Sequence, residues 1–440
     1  MTLYGRRALM FAMSVVLIIA LYARGQLGGL TTDFPSFYAA SGTLADGGNP
    51  YNIHCIQDYA RGRGVVQEVY PYLYPPFLAS VIVPVTGLSP AFADRLWTAL
   101  MVLMFATSAV LMTLLTPPGG PHAFGVGGRS FLLESALAAG LLLVLPLGEN
   151  FLMGQVNAFV LVCMTVAILG LDRTTPGWEW SAGAALAMAT LVKVTPVLLI
   201  LLFVARKKRR SLGGFALALG AGVALSMAIS GTEVWRQFTA FLPHMAYGRS
   251  IDGLFHPMSV ANLSLSGFIL RAAESAATPV RVVVVLVSAL LVGSVLWAAF
   301  RPPRVAKLDG VLLAVLVTMV LISPYTWIHH LVFLYPGVFL LLRSILVRVR
   351  AGHDRKLLLS VLVCVVGLTI NFPHLYPSMG VPEVIRPVVT SMNFFFLLAL
   401  FAVALRISLR PQRHLIAYRV RGYSRLPAWS HMLPLPFGKS

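Results

Sequence analysis

Apolar runs of near-membrane length, separated by short clusters of arginine and lysine, constrain this chain more than any other feature. The runs lie near 8–24, 76–90, 94–116, 131–148, 151–171, 182–203, 212–230, 280–300, 308–323, 331–347, 357–371 and 389–408. Hydrocarbon offers no partner for a backbone N–H or C=O, so segments of this kind must bond internally as helices. A barrel is excluded because barrel strands alternate apolar and polar residues, whereas these runs are continuously apolar. With 58% hydrophobic and only 11% charged residues, the chain cannot clothe a water-facing surface. The expected class is an all-α integral membrane protein with about twelve transmembrane helices and a long first extracytoplasmic loop. The run 76–90 is the weakest, and suits a tilted or partly buried helix.

The net charge of +19 is distributed as a membrane protein requires. It sits in clusters such as Arg206–Arg210 and Arg348–Lys356, directly beside apolar runs, which is the positive-inside pattern with some attraction to anionic lipid. No basic soluble stretch is present to carry nucleic acid, and none is expected as a partner. With Arg6 and Arg7 in the cytoplasm, twelve spans put Arg206–Arg210, Arg301–Lys307, Arg343–Lys356 and the Arg410–Arg425 tail on that same side. The loops 25–75, 231–279 and 372–388 then face outward. By this count Gly148-Glu149-Asn150 and Gly154-Gln155-Val156-Asn157 fall on the cytoplasmic side, unless a helix break is hidden nearby. One membrane domain is expected over 1–409, with 410–440 a basic cytoplasmic tail. The N-terminal run, ending Tyr22-Ala23-Arg24-Gly25, lacks a small-x-small cleavage site and reads as an uncleaved helix. Cys55, Cys163 and Cys364 imply no disulfide framework.

The polar segment 31–76 carries Asp33, many tyrosines and the Pro-closed turns Asn49-Pro50-Tyr51 and Tyr74-Pro75-Pro76. Asp33 has two readings: a solvated loop acid or N-cap for a helix over 34–44, and a carboxylate that takes a proton from an incoming hydroxyl. The tyrosines of Tyr70–Pro76 read as interface anchors, or jointly as a wall for a sugar or lipid headgroup. Lys193 lies inside an apolar run, where a cation needs a cavity or a partner; a phosphate is one, and backbone carbonyls are another. Pro196 should kink that helix. Neighbouring helical side chains point about 100° apart, so one of His329 and His330 faces any given site, and the pair is poorly spaced for a metal. No carboxylate cluster suits a divalent ion; neither a metal nor another cofactor is expected. Arg249 could grip a phosphate or pair with Asp252.

The ordered set Asp33…Phe37-Tyr38-Ala39-Ala40, Gly47-Gly48-Asn49-Pro50-Tyr51, Tyr72-Leu73-Tyr74-Pro75-Pro76, Gly154-Gln155-Val156-Asn157, Lys193-Val194-Thr195-Pro196, Asn262-Leu263-Ser264-Leu265 and Ser323-Pro324…Trp327-Ile328-His329-His330 resembles glycosyltransferase family 87. The similarity spans roughly residues 30 to 345. Departures are Asn262-Leu263-Ser264 where Asn-Gln-Ser is common, and Tyr325-Thr326 where Ile-Ser is common; they leave sugar specificity open. The resemblance implies a GT-C fold in the cell membrane and an extracytoplasmic, inverting transfer from a polyprenyl-phosphate sugar to a glycolipid or envelope-glycan acceptor. Mannose is favoured over arabinofuranose. It also implies roles: Asp33 as base with His329 or His330 assisting, Lys193 and Arg249 on the donor phosphate, and Tyr38, Tyr72, Tyr74, Gln155, Asn157 and Asn262 on substrate. The rivals are a secondary transporter or lipid-carrier flippase, which would carry inverted repeats, and a non-catalytic scaffold.

Overall fold

The computed structural model describes residues 9–16, 30–115, 145–301, 308–350, 355–375 and 382–409, together with the isolated residues 5, 18, 19, 140 and 380. The expected tail 410–440 and most of the run 131–148 lie outside the described residues. Regular structure among the described residues is helical, apart from one antiparallel bridge between Ile251 and Phe255. Among the described residues, five helical segments are long and apolar enough to cross a membrane: Pro90–Met112, Arg209–Ser230, Thr278–Ala299, Ile328–Leu346 and Met392–Leu409. The protein is an all-helical membrane protein.

The polar segment after the first run is itself folded. It forms α1 (Phe34–Ala45), α2 (Ile53–Gly62) and α3 (Pro76–Ile82), the last followed by a 3₁₀ turn Val83–Gly87. Helix α1 is buried from Phe34 to Leu44, so it is an internal element rather than a loop. The run 76–90 does not behave as a span. Its seven helical and five 3₁₀ residues reach about 20 Å, short of the ~30 Å hydrocarbon core. Its end is also tied back: the Tyr38 hydroxyl of α1 donates to Thr86 O (3.0 Å) and Leu88 O (2.8 Å). Prolines at both ends, Pro75-Pro76 and Pro84, keep this element short.

Helix α4 (Pro90–Met112) therefore starts at the same end of the bundle as α1. Its first turns meet Thr31 through Asp94, and beyond its last turn the Leu115 carbonyl accepts a hydrogen bond from Arg343. Helix α5 (Leu145–Met153) leads to the Gly154–Val156 turn, and α6 (Asn157–Leu169) leads away from it. Helix α7 (Pro176–Val192) stops before Lys193, and a 3₁₀ turn Thr195–Leu199 continues into α8 (Ile200–Ala205).

The run 182–203 is therefore two legs, not one span. Lys208 returns to the start of α7, with Nζ 2.5 Å from Arg173 O and 3.3 Å from Glu179. Helix α9 (Arg209–Ser230) then runs parallel to α7: Gly183 abuts Ser211 and Phe215, and Gly222 abuts Leu191. Small residues on both helices, among them Ala182, Gly183, Gly214 and Gly222, allow this close approach. Parallel neighbours joined by a short connection require the intervening chain to travel back, which residues 194–205 do.

Helices α10 (Glu233–Phe241) and α11 (Leu265–Ala272) belong to the second long loop, and α12 (Thr278–Ala299) leaves it. Helix α13 (Leu308–Leu321) is buried at every position and forms the centre of the bundle. A 3₁₀ segment Ile328–Leu334 leads into α14 (Tyr335–Arg350), followed by α15 (Arg355–Leu368) and α16 (Met392–Leu409). Helices α9 and α12 leave most of their apolar surface exposed, as lipid-facing helices do.

Candidate active site

One end of the bundle gathers Asp33, Gln155 and Tyr74 in one hydrogen-bonded set and Asn157, Lys193 and His330 in another, and the Tyr74 ring beside Lys193 joins the two into a chain of contacts. Asp33 occupies the N-cap position of α1 but makes no side-chain cap. Its carboxylate instead accepts from the Gln155 side-chain amide. The Gln155 carbonyl in turn accepts from the Tyr74 hydroxyl at 2.9 Å, which fixes the amide with its NH₂ toward Asp33. The Tyr74 ring lies 5.6 Å from Lys193 Nζ, and Phe333 flanks the same ammonium at 5.5 Å. Lys193 Nζ donates to Asn157 Oδ1 at 3.0 Å and stands 2.7 Å from His330 Nε2.

Each side chain is delivered by a local break in helix. Lys193 sits in extended conformation (φ −146°, ψ 123°) immediately after α7. A continuous helix here would bring the Pro196 ring against the carbonyl of Val192, so the helix ends and the lysine projects from the break. Gln155 follows Gly154, whose φ of +67° closes α5 in the left-handed region. A Cβ at Gly154 would also collide with Thr31 and Phe34. Glycine thus lets the 150–157 turn press against the Asp33 segment, where Thr32 N and Asp33 N donate to Leu152 O (3.3 Å) and Met153 O (2.7 Å).

The two histidines differ. Both lie on the 3₁₀ segment, with rings 4.4 Å apart and nearly perpendicular. His330 reaches Lys193 through Nε2, and its Nδ1 accepts from the Trp327 N–H at 3.3 Å. His329 contributes its backbone carbonyl, which accepts from Asn150 (2.8 Å) and Asn157 (3.3 Å), while its Nε2 is buried without a partner.

Four expected site residues lie apart from this chain. Tyr38 is fully buried, with its hydroxyl used on Thr86 and Leu88 and accepting from Arg63 at 3.1 Å. Tyr72 is buried too, its hydroxyl pinning the start of α3 between Pro75 O and Ala79 N, both at 2.9 Å. Asn262 is a brace: its amide donates to Pro257 O and Pro324 O, and its oxygen accepts from Ser264 N and Thr326 N. These three have their polar atoms paired with protein partners. Arg249 is exposed, and its backbone carbonyl accepts from the Tyr325 hydroxyl. No Arg249–Asp252 ion pair exists among the described residues.

Sequence reasoning missed Asn150, Asp94 and Trp97. Asn150 Nδ2 bonds Pro146 O and His329 O, and its oxygen accepts from Asn157 at 2.9 Å, so it locks α5 to the histidine segment. Asp94 is a buried acid in the first turns of an apolar helix, a signal of the same kind that singled out Lys193.

Electrostatically, the site separates an acid from a cation. Burial pushes the Asp33 carboxyl up to about 6, against the opposing pull of the Gln155 amide and the Lys193 charge. A carboxylate with that value is ionised at neutral pH yet basic enough to accept a proton.

The sequence model of glycosyltransferase family 87 matches residues 72–324. A polyprenol-phosphate-mannose-dependent alpha-(1-2)-phosphatidylinositol mannoside mannosyltransferase of Mycobacterium tuberculosis is 25% identical over 278 residues, 61% of each chain. The enzyme of the same name from Mycolicibacterium smegmatis is 27% identical over 285 residues, 60% of each chain. A pentamannoside mannosyltransferase of Mycobacterium tuberculosis is 26% identical over 270 residues, covering 60% of this chain and 57% of that relative. The chain thus spans about 60% of the length of these relatives. The family match covers more than half of the residues and takes in Tyr74, Gln155, Asn157 and Lys193, and on that basis the chain belongs to glycosyltransferase family 87.

Proposed function

We propose that the protein is an inverting glycosyltransferase of GT-C fold that moves mannose from a polyprenyl-phosphate donor to a glycolipid acceptor on the extracytoplasmic side of the cell membrane. The observation that carries this reading is the joint placement of one proton acceptor, Asp33, and one cation, Lys193, on the two sides of the Gln155–Tyr74 pair. The acceptor hydroxyl attacks the anomeric carbon as its proton passes to the Asp33 carboxylate. The bond from that carbon to the phosphate oxygen breaks on the opposite face, and the electron pair leaves with polyprenyl phosphate. Lys193, with His330 beside it, stabilises the negative charge that develops on the leaving phosphate. Arg249 is available on the second outer loop for the same anion at an earlier stage of binding. Tyr74, Gln155 and Asn157 line the approach to the sugar.

The helix directions support an outward-facing site. If Arg6 and Arg7 are cytoplasmic and α3 does not cross, α4 runs inward and α5 outward. That places Gly154–Asn157 beside Asp33 on the outer side. The two legs α7 and 195–205 return to the cytoplasm, so Arg206–Arg210 stays inside, as do the later basic clusters. Counted as legs, about twelve helices result. Mannose is preferred because the relatives' names carry a polyprenol-phosphate-mannose donor, and a phosphatidylinositol mannoside is the model acceptor for the same reason.

The test offers purified protein radiolabelled polyprenyl-phosphate mannose, or the arabinofuranose analogue, with a phosphatidylinositol mannoside acceptor. Label should move from the mannosyl donor with wild type and not with Asp33→Asn. Transfer of arabinofuranose alone would replace the sugar assignment. Absence of transfer from either donor, with substrate movement in liposomes, would replace the enzyme by a transporter.

A further inference from the structure

Helix α4 carries two side chains, one turn apart, that grip the two backbone segments of the candidate site. Asp94 is buried, and its carboxylate accepts from both the Thr31 hydroxyl and the Thr31 N–H, the latter at 3.3 Å. Trp97 donates its indole N–H to Gly154 O at 2.7 Å. The Trp97 ring also stacks on Phe34 at 5.2 Å and meets the edge of Phe37 at 5.9 Å. Thr31 lies two residues before Asp33, and Gly154 one before Gln155. Residues three apart share a helix face, so one face of α4 holds both halves of the Asp33–Gln155 pair. The Gln67 amide closes the third side, donating to Thr31 O at 2.8 Å.

We infer that Asp94 is a positioning residue for the proton acceptor, and that Trp97 is its counterpart for the Gln155 turn. The reasoning is geometric. Asp33 is the residue before α1, and residues 30–32 just ahead of it are non-helical, so no helix immediately before it fixes its direction. Its direction is set by the Thr31–Asp94 bonds and by the backbone pairing of Thr32 and Asp33 with Leu152 and Met153. A buried acid is costly unless hydrogen-bonded, and among the described residues Asp94 is bonded by Thr31 and by no cation. Two donors from one residue, Thr31, meet that need and orient the loop at the same time. The inference rests on Asp33 acting as base, and so on the proposed transfer reaction.

The experiment compares Asp94→Asn, Thr31→Val, Thr31→Ser and Trp97→Phe. Each is assayed for transfer from radiolabelled polyprenyl-phosphate mannose. Each is also made with Thr32→Cys and Leu152→Cys in a chain lacking the native cysteines, where the rate of disulfide formation reports the pairing of the two segments. Asp94→Asn and Thr31→Val should lower kcat by roughly ten- to a hundredfold, as misplacement of a reacting group does. The donor KM should move by less than about threefold, since ground-state binding is untouched. Both should slow the cross-link. Thr31→Ser keeps the hydroxyl and should retain wild-type values.

Wild-type kcat in Asp94→Asn, equal loss in Thr31→Ser and Thr31→Val, or lost kcat with an unchanged cross-link rate would each overturn the inference. If Asp94→Asn fails to fold, Trp97→Phe, which keeps an aromatic ring against Phe34 and removes the indole N–H, must slow the cross-link. If wild type transfers nothing, the proposed reaction fails by itself; the cross-link rates then still decide whether Asp94 orders the segment.

Discussion

Lys193 Nζ stands 2.7 Å from His330 Nε2, although 137 positions separate the two residues in the chain. The contact joins the break after α7 to the 3₁₀ segment after α13. It distinguishes His330 from His329, whose ring makes no hydrogen bond while its carbonyl holds Asn150 and Asn157. Replacing His330 by Phe should therefore lower transfer activity more than the same change at His329, because only the former removes a partner of the lysine. Steady-state kinetics of the two variants check this; equal losses would dissolve the distinction.

Lys193→Met removes the cation and keeps much of the apolar stem. The expected loss in kcat is about 10²–10³, the scale found when a donor to a developing anion is removed. A change confined to KM would mean that the lysine binds donor and transition state alike.

The pH profile follows from Asp33. Its carboxyl is raised to about 6 by burial. The reactive form is the carboxylate, so kcat/KM should fall one-proton-wise as pH drops through about 6. The Gln155 amide favours the charged form and holds the value down. Gln155→Leu should accordingly move the acidic limb to higher pH, besides lowering the plateau. A limb that stays in place, or moves to lower pH, contradicts the proposed base.

Gly154→Ala meets two penalties, a positive φ and a Cβ placed against Thr31 and Phe34. Backbone strain of this kind costs of order 1–3 kcal/mol. Thermal unfolding in detergent should show the loss, and transfer should drop with it, because the same turn carries Gln155.

Single cysteines at Asp46 and Ser89, both exposed, test the path of α3. In a Cys55→Ser background, a membrane-impermeant maleimide added to intact cells should label both from the same side. Labelling of only one would mean that the run 76–90 crosses after all.

The contrast between expectation and structure is clearest along two runs. Hydropathy marked 76–90 as the weakest run, tilted or partly buried, and 182–203 as a span kinked at Pro196, yet the first is a short tethered helix and the second turns at Lys193 and returns. The prolines that cause both features were visible in the sequence. What they do was not, because a proline break can tilt, kink or reverse a helix according to what packs beside it. The parallel packing of α9 on α7 selects reversal. The tyrosines gave a similar lesson. Tyr38, Tyr72 and Tyr74 share a chemistry and a neighbourhood in the chain, but two have their hydroxyls occupied by backbone partners and only Tyr74 reaches Gln155.

From the residues alone came the solvent, the predominance of helix and the shortlist. A chain this apolar must satisfy its backbone within helices, and the few polar side chains inside its runs must have partners. Asp33, Gln155, Asn157, Lys193 and His330 stood out on those grounds and on their ordered motifs. Only the tertiary structure decided that they form one chain of contacts, that His330 rather than His329 holds the lysine, and that Asp94 and Trp97 brace the segment carrying the acid. The reason is physical: hydropathy and propensity are properties of neighbours along the chain, whereas a hydrogen bond between residues 122 or 137 positions apart is fixed by how the helices pack.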